Sequence, residues 1–375
     1  MKLLFWLSVL FILYTYIGYP CLLFIWERLA GRKVNKAYIE PEVSIVIAAY
    51  NEEKHIGRKI ENCLALNYPR DKLEIIVVSD GSHDRTKEIA GNFQTNSVRL
   101  LSYEQRKGKA HALNLGVSQA KGDVIFFTDA RQTLEKESLR ELVANLNDPK
   151  VGTVSGELVL LEKGEDGSGE GIGLYWRIEK WMRKKESQIN SVLGATGSVY
   201  ACRKQLIKPI PPETVLDDVL IPFQNILRGY RSIFEPKAIA LDHVAADVKK
   251  EFKRKVRTLS GNYQVLLLEP GLLHPLKNPV FFQLLSHKIA RLLVPFAMLL
   301  LLLSNLFIVY GVYGVFLVLQ VAFYLAALFS KWGPDNFVGR IMKVANVIVM
   351  MNLAALVSGL RFMRSPRNIM WEKSS

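Results

Sequence analysis

Cysteine is scarce, with three in 375 residues. Cys21 lies in an apolar segment, while Cys63 and Cys202 are isolated, so the chain carries neither a disulfide framework nor a zinc-ligand spacing. The six histidines are scattered. No Gly-x-Gly-x-x-Gly follows a strand pattern and no P-loop is present, which removes the main support for a dinucleotide oxidoreductase or an ATP-dependent phosphoryl transferase. Acidic residues are also short, 35 against 49 basic, for a formal net charge of +14. Such an excess fits three partners: nucleic acid, anionic lipid headgroups or a phosphorylated substrate. Internal repeats and low-complexity segments are absent, and the one flexible-looking insert is residues 162–173, rich in Gly and acids.

What is abundant is apolar, 50% of residues against 22% charged. Residues 3–26 carry no charge and are long enough to cross a hydrocarbon core of about 30 Å. The run exceeds the usual h-region of a signal peptide and lacks a clear small-x-small cleavage site, so residues 1–29 read as a membrane anchor. Residues 292–310, 312–329 and 344–360 are further candidates, giving a C-terminal region, 292–361, of two to three spans, the first two joined tightly near Gly311. Residues 279–291 combine bulky apolar side chains with a basic end and read as an amphipathic helix in the membrane interface or as an ordinary core helix. Basic clusters at 27–36 and 249–257 place the intervening module, 40–270, in the cytoplasm by the positive-inside tendency. A fourth span would put Arg361, Arg364, Arg367 and Lys373, in the basic tail 362–375, on the outside, against that tendency. Membrane segments favour lipid and phosphorylated substrate over nucleic acid.

Residues 43–130 alternate strand and helix patterns. Apolar runs at 43–49, 74–80, 98–101 and 123–129 are separated by helix-like stretches at 56–66, 85–93 and 109–118, the signature of a doubly wound parallel sheet. Two runs end in a carboxylate, Asp80 and Asp129, and another ends at Tyr50-Asn51-Glu52. Buried parallel strands deliver such residues to one rim, where ligands bind. Taken alone, Asp80-Gly81-Ser82 is a turn with Ser82 capping the next helix. Asp217-Asp218 opens another helix pattern, with Asp217 as its cap, and adjacent like charges raise one pKa. Arg254 and Arg257, three apart, share a helix face that fits a diphosphate or an anionic lipid surface.

In order along the chain, Ala49-Tyr50-Asn51-Glu52, Ser79-Asp80-Gly81-Ser82, Lys107-Gly108-Lys109, Thr128-Asp129-Ala130, Gly194 to Ser198, Asp217-Asp218 and Arg254 to Gly261 resemble the motifs of family 2 inverting glycosyltransferases. The membrane-bound branch of cellulose, chitin and hyaluronan synthases is the nearest likeness. The resemblance implies an α/β fold: an A-type nucleotide-sugar-binding domain, Rossmann-like with a mostly parallel sheet, carrying N- and C-terminal transmembrane helices. It implies that Tyr50, Glu52, Asp80 and Lys109 line the nucleotide, and that Asp129 bridges ribose, a Mg2+ or Mn2+ ion and the diphosphate. Asp218 matches the general base, Gly194, Thr196, Gly197 and Asp217 the acceptor side, and Arg254 and Arg257 the diphosphate.

Two departures bear on the chemistry. Arg131 stands where the family carries the second Asp of Asp-x-Asp, so the metal rests on Asp129, and Arg131 becomes a nucleotide-side cation. Thr258 stands where processive synthases carry a Trp under the acceptor sugar. The expected activity is transfer of a hexose or N-acetylhexosamine from a nucleotide sugar, a UDP-sugar by preference, to a lipid-linked or polysaccharide acceptor at the cell (inner or plasma) membrane. The expected protein is multi-pass, contacts the lipid bilayer, binds no nucleic acid, and works alone or in a homo-oligomer or assembly complex. A processive synthase that also secretes its product, and a nucleotide-sugar-binding scaffold without activity, are the alternatives. Trp176 and Trp181 fit either sugar stacking or the membrane surface.

Overall fold

The computed structural model describes residues 1–161, 169–243, 248–334 and 336–364. Most of the 162–173 insert and all but the first three residues of the 362–375 tail lie outside the described residues. The core is an eight-stranded sheet in the order β3-β2-β1-β4-β7-β6-β8-β5. β1 (Val43–Ala49), β2 (Leu73–Asp80), β3 (Val98–Tyr103) and β4 (Val124–Phe127) run parallel. β7 (Tyr200–Arg203) is antiparallel to both β4 and β6 (Val151–Leu161), and the long β8 (Arg231–His243) returns parallel to β6. The short β5 (Thr133–Leu134) closes the edge against β8. The fold is thus the expected α/β sheet, mostly parallel, with a second half built from strands beyond the alternating region.

Strand alternation divides the side chains between two cores. Val43, Ile45, Ile47, Ile75 and Val77 pack against the helices Ile56–Leu64 and Ser138–Asn145. Val46, Ile76 and Val78 point the other way, onto Lys109–Gln119 and Asp217–Leu227. That second core continues through Val265 to Val280 and Leu284, so it is shared with the membrane-proximal helices.

Among the described residues three helices are long and apolar enough to cross a membrane: Lys2–Ala30, Phe281–Leu306 and Phe337–Arg364. Val312–Leu328 is shorter and equally apolar, and Gly311 turns the chain into it at φ +62°, a left-handed backbone suited to glycine. Residues 279–291 do not form a separate interface helix: from Phe281 onward the chain runs unbroken into the span ending at Leu306, passing through a wider π-helical section at Leu284–Ile289. The reason is that its polar residues have partners in the protein. Ser286 bonds Tyr14 Oη at 2.6 Å, and His287 sits buried against Glu186 and Glu179.

Candidate active site

The carboxyl ends of β1, β2 and β4 meet at one rim, as the parallel register requires. Asp80 closes β2 and is buried, with Oδ1 accepting from Tyr103 Oη at 2.8 Å and from the Lys107 backbone N–H at 2.7 Å. Gly108 N–H reaches Oδ2 at 3.0 Å. These donors fix the Asp80 carboxylate in place. The Arg106 guanidinium lies over the Tyr50 ring, 4.2 Å from its centre, so tyrosine, arginine and aspartate form one pocket. Ser82 does not cap a helix. Its hydroxyl accepts the Asn51 backbone N–H at 3.1 Å while Asn51 Oδ1 accepts from His83 N–H, locking the Tyr50 loop to the turn after β2. Asn51 takes a left-handed φ of +52° to make both bonds. Glu52 is tied into the same junction through its backbone N–H to Thr86 Oγ1.

Asp129 follows β4 and is partly exposed on the rim. Lys109, first residue of its helix, reaches it at 3.1 Å and reaches Asp217 at 3.2 Å, so the ammonium joins the donor rim to the Asp217-Asp218 pair. Burial alone would depress the Lys109 pKa, but Asp129, Asp217 and Asp218 together raise it above the ordinary lysine value. Asp217 does not cap its helix. Leu216 takes the cap position, and both acids sit in the first turn, where the helix N-terminus favours negative charge. Asp217 is buried between Lys109 and Tyr200 Oη.

Asp218 differs from its neighbour. Burial, then the adjacent Asp217 charge, push its carboxyl up to about 6. Gly197 faces it directly, since a Cβ there would stand 2.9 Å from Asp218 Oδ2. Gly194 takes φ +140° beside Val219, and the Asp218 carbonyl accepts from Ala195 N–H at 2.6 Å. Thr196 spends its hydroxyl on Gly156 O, 2.8 Å away, so it holds the loop in place. Small residues and a fixed loop leave the space before the carboxylate open.

On the helix Val248–Leu268, Arg254 and Arg257 are adjacent, and Arg257 lies within the field of Asp218, Asp129 and Asp217. Burial, then Arg254, lower the Arg257 pKa, and the three carboxylates oppose that shift. Arg131 is placed differently from Arg257: its guanidinium bonds Asp242 on β8 at 2.7 Å. Arg131 thereby braces the loop after β4.

Behind Asp218 opens a cavity of about 290 Å³ that sequence reasoning did not find. Its lining joins Asp218, Gly194 and Trp176 to Arg183, Lys288 and the membrane-helix residue Asn352. Trp181 is more exposed and does not line it. The signal was present in the sequence: His287, Lys288 and Arg291 share one side of an otherwise apolar helix, and ionisable groups at such positions mark functional sites.

Tyr50, Asp80 and Asp129 thus gather at one rim, with the Asp217-Asp218 pair and the arginine-bearing helix Val248–Leu268 beside it. Residues 44–208 match the family model "Glycosyl transferase family 2", and the chain carries a glycosyltransferase domain of that family there. Over 240 residues it is 31% identical to the probable glycosyltransferase YdaM of Bacillus subtilis (strain 168), covering 60% of this chain and 56% of that protein. Over 230 residues it is 27% identical to a poly-beta-1,6-N-acetyl-D-glucosamine synthase of Staphylococcus aureus (strain COL), covering 60% of this chain and 55% of that one. The chain therefore spans little more than half the length of these relatives. Among solved structures, the mannosyltransferase PcManGT from Pyrobaculum calidifontis, in complex with GDP-Man and Mn2+, superposes with a TM-score of 0.70. That match is 22% identical and covers 94% of this chain and 99% of the other, so the fold is shared over nearly the whole chain.

A divalent cation fits this rim through few protein ligands. Among the described residues no cluster of three His, Cys, Asp or Glu side chains forms a cage. Asp129 is the accessible carboxylate, and hard cations accept one or two protein ligands when phosphate oxygens complete the shell.

Proposed function

We propose that this protein is an inverting glycosyltransferase that moves a hexose or N-acetylhexosamine from a nucleotide sugar, a UDP-sugar in our reading, to a membrane-associated saccharide or lipid-linked acceptor. The observation that carries it is the facing of Asp218, with its carboxyl pushed up to about 6, onto the glycine-lined opening at Gly197, with Asp129, Lys109 and Arg257 beyond. A general base works best with a pKa near the working pH.

Asp80, Tyr50 and the Arg106 loop hold the base of the nucleotide, while Glu52 and Asp129 flank its ribose. Asp218 takes the proton from an acceptor hydroxyl, whose oxygen attacks the anomeric carbon. The bond from that carbon to the diphosphate breaks, and its electron pair leaves with the nucleoside diphosphate. Arg257 and Arg254 stabilise the charge that grows on the leaving group, which is where preorganised cations contribute most. Bound at Asp129, Mg2+ or Mn2+ would add charge neutralisation at the same diphosphate. Lys109 is ion-paired to Asp129 and Asp217, and neither pair includes Asp218, which faces the opening at Gly197.

In this reading the domain 40–270 is cytoplasmic and the protein is a multi-pass component of the cell membrane, contributing to cell-surface polysaccharide or glycolipid synthesis. A processive polymer synthase is the second reading, favoured by the similarity to the staphylococcal poly-beta-1,6-N-acetyl-D-glucosamine synthase. The test is product analysis from purified protein in lipid, over a panel of UDP- and GDP-sugars with and without Mn2+. One donor should yield a product of inverted anomeric configuration by NMR. A retained configuration contradicts the base assigned to Asp218, and a long polymer replaces single transfer with processive synthesis.

A further inference from the structure

We propose that a cationic cleft at the end of the first membrane-length helix binds the phosphate headgroup of an anionic phospholipid through Arg32, Lys33 and Lys150. The site is separate from the transferase machinery and does not depend on it. The cleft, about 390 Å³ and within the range of ligand pockets, is lined by Arg32, Lys33, Asp148, Lys150 and Arg231, and it shares no residue with the cavity behind Asp218. Lys150 directly precedes β6 and Arg231 begins β8. β4 and β6 both run antiparallel to β7, and β8 is parallel to β6, so the cleft lies at the edge of the sheet opposite the carboxyl ends that carry Asp80 and Asp129. The donor diphosphate belongs to that far edge.

Charge defines the ligand. Four cations meet one carboxylate, and that carboxylate is committed to the backbone: Asp148 Oδ2 accepts from Asn35 N–H at 3.2 Å and Oδ1 from Lys150 N–H at 2.9 Å. Arg231 is spent too. Buried, it donates to Ser187 O at 2.7 Å, Asn190 O at 2.9 Å and Lys33 O at 3.4 Å, clamping the segment after the helix onto the domain. Arg32, Lys33 and Lys150 are exposed, and among the described residues none of them has a carboxylate within ion-pair distance. With Asp148 set against Arg231, these three positive charges still share one cleft, and they repel one another until an anion joins them. An arginine fork beside lysine point charges suits phosphate. A zwitterionic headgroup brings its own ammonium into the same field and loses part of the gain.

Position makes the anion a lipid. Arg32 and Lys33 follow Ala30, the last residue of the helix Lys2–Ala30, by two and three positions, which keeps them within about 11 Å of its end. That is headgroup depth for a helix that crosses the bilayer. Trp26, its ring 5.8 Å from that of Phe282, marks the aromatic belt at the same end. Leu22, Ile25 and Leu29 are exposed and fall on one helix face at three- and four-residue spacing. They form a track for acyl chains that stops three residues before Arg32. A free phosphate would use the cations alone, whereas a phospholipid uses the cations and the track together and ties the helix to the starts of β6 and β8.

The test measures binding without any donor, so its outcome is independent of the transferase reading. The full chain in maltoside micelles is titrated with dioleoyl phosphatidylglycerol, dioleoyl phosphatidylcholine and inorganic phosphate, and bound molecules are counted by native mass spectrometry. Phosphatidylglycerol is expected to bind at least about tenfold more tightly than either of the others, the order expected of two or three basic residues at a membrane surface. In Lys33→Gln/Lys150→Gln that preference should fall to near unity, and in Lys33→Arg/Lys150→Arg it should survive. Arg32→Gln alone should lower it severalfold. Removing two exposed charges elsewhere, in Lys121→Gln/Lys136→Gln, should leave the preference intact, which separates the cleft from general attraction to a chain of net charge +14. Equal binding of the two lipids overturns the proposal, as does a preference that survives in Lys33→Gln/Lys150→Gln or falls as far in Lys121→Gln/Lys136→Gln. Inorganic phosphate binding as tightly as phosphatidylglycerol overturns the lipid and leaves a free-anion site.

Discussion

The Asp218 carboxyl, raised from the ordinary aspartate value of 3.8 to about 6, gives the reaction a pH signature. A base must be unprotonated, so transfer is expected to rise through about pH 6 and level off, with a rate at pH 5 about tenfold below that at pH 7.5. The same shift affects stability with the opposite sign from most aspartates. Folding raises the affinity of this group for its proton, so its favourable contribution is present below pH 4 and is lost as the pH rises through 6. Asp218→Asn should therefore melt at a higher temperature than the parent at pH 7.5, and the gain should vanish at pH 4, as differential scanning would record. Gly197→Ala tests the opening: its Cβ, 2.9 Å from Asp218 Oδ2, stands where the acceptor oxygen must come. Transfer should drop by roughly 100-fold, the cost of a misplacement near 1 Å, with nucleotide binding unchanged by calorimetry.

The helix Val248–Leu268 brings its arginines to the base because Gly261 lets it lie close to the chain before Asp217. A Cβ there would come within 2.5 Å of Leu216 Cγ. Gly261→Val should cost about 1–3 kcal/mol by overpacking, read by urea unfolding, and should lower kcat by moving Arg257 away from Asp218. This pairing was only half legible in the sequence. β1, β2 and β4 could be read because buried parallel strands are continuous apolar runs, and their terminal Tyr50, Asp80 and Asp129 came with them. The long β6 and β8 were not, since Gly152, Gly156 and Pro236 interrupt their pattern and only the sheet pairs them. The cavity behind Asp218 was legible only through the ionisable residues of one apolar helix, His287, Lys288 and Arg291. Arg183 and Lys288 lie on elements far apart in the chain, and the polar side of residues 279–291 looks the same facing a headgroup layer as facing Glu179 and Glu186. The expected caps at Ser82 and Asp217 failed because tertiary partners, the Asn51 backbone and Lys109, hold those side chains instead.

Taken together, the domain and its membrane helices are one packed body. Tyr19, Glu186, His287, Glu179 and Arg291 form a continuous polar chain between Lys2–Ala30, Gly169–Ile189 and Phe281–Leu306. A cytoplasmic domain makes a topological prediction that is read in a Cys21→Ser background, since Cys63 and Cys202 are buried and Cys21 is exposed on a membrane-length helix. In Lys54→Cys, on the exposed domain surface, an impermeant maleimide should label the protein only after cells are opened. Labelling of intact cells would reverse the orientation. The account as a whole depends on one base beside one donor site. Its most direct test is nucleoside diphosphate release by the full chain in lipid, with native membrane extract as acceptor source, comparing parent and Asp218→Asn at equal donor occupancy. Release from a single sugar nucleotide that falls by about 10²–10⁴ in the variant is the predicted result. Release that survives the substitution would contradict Asp218 as the base.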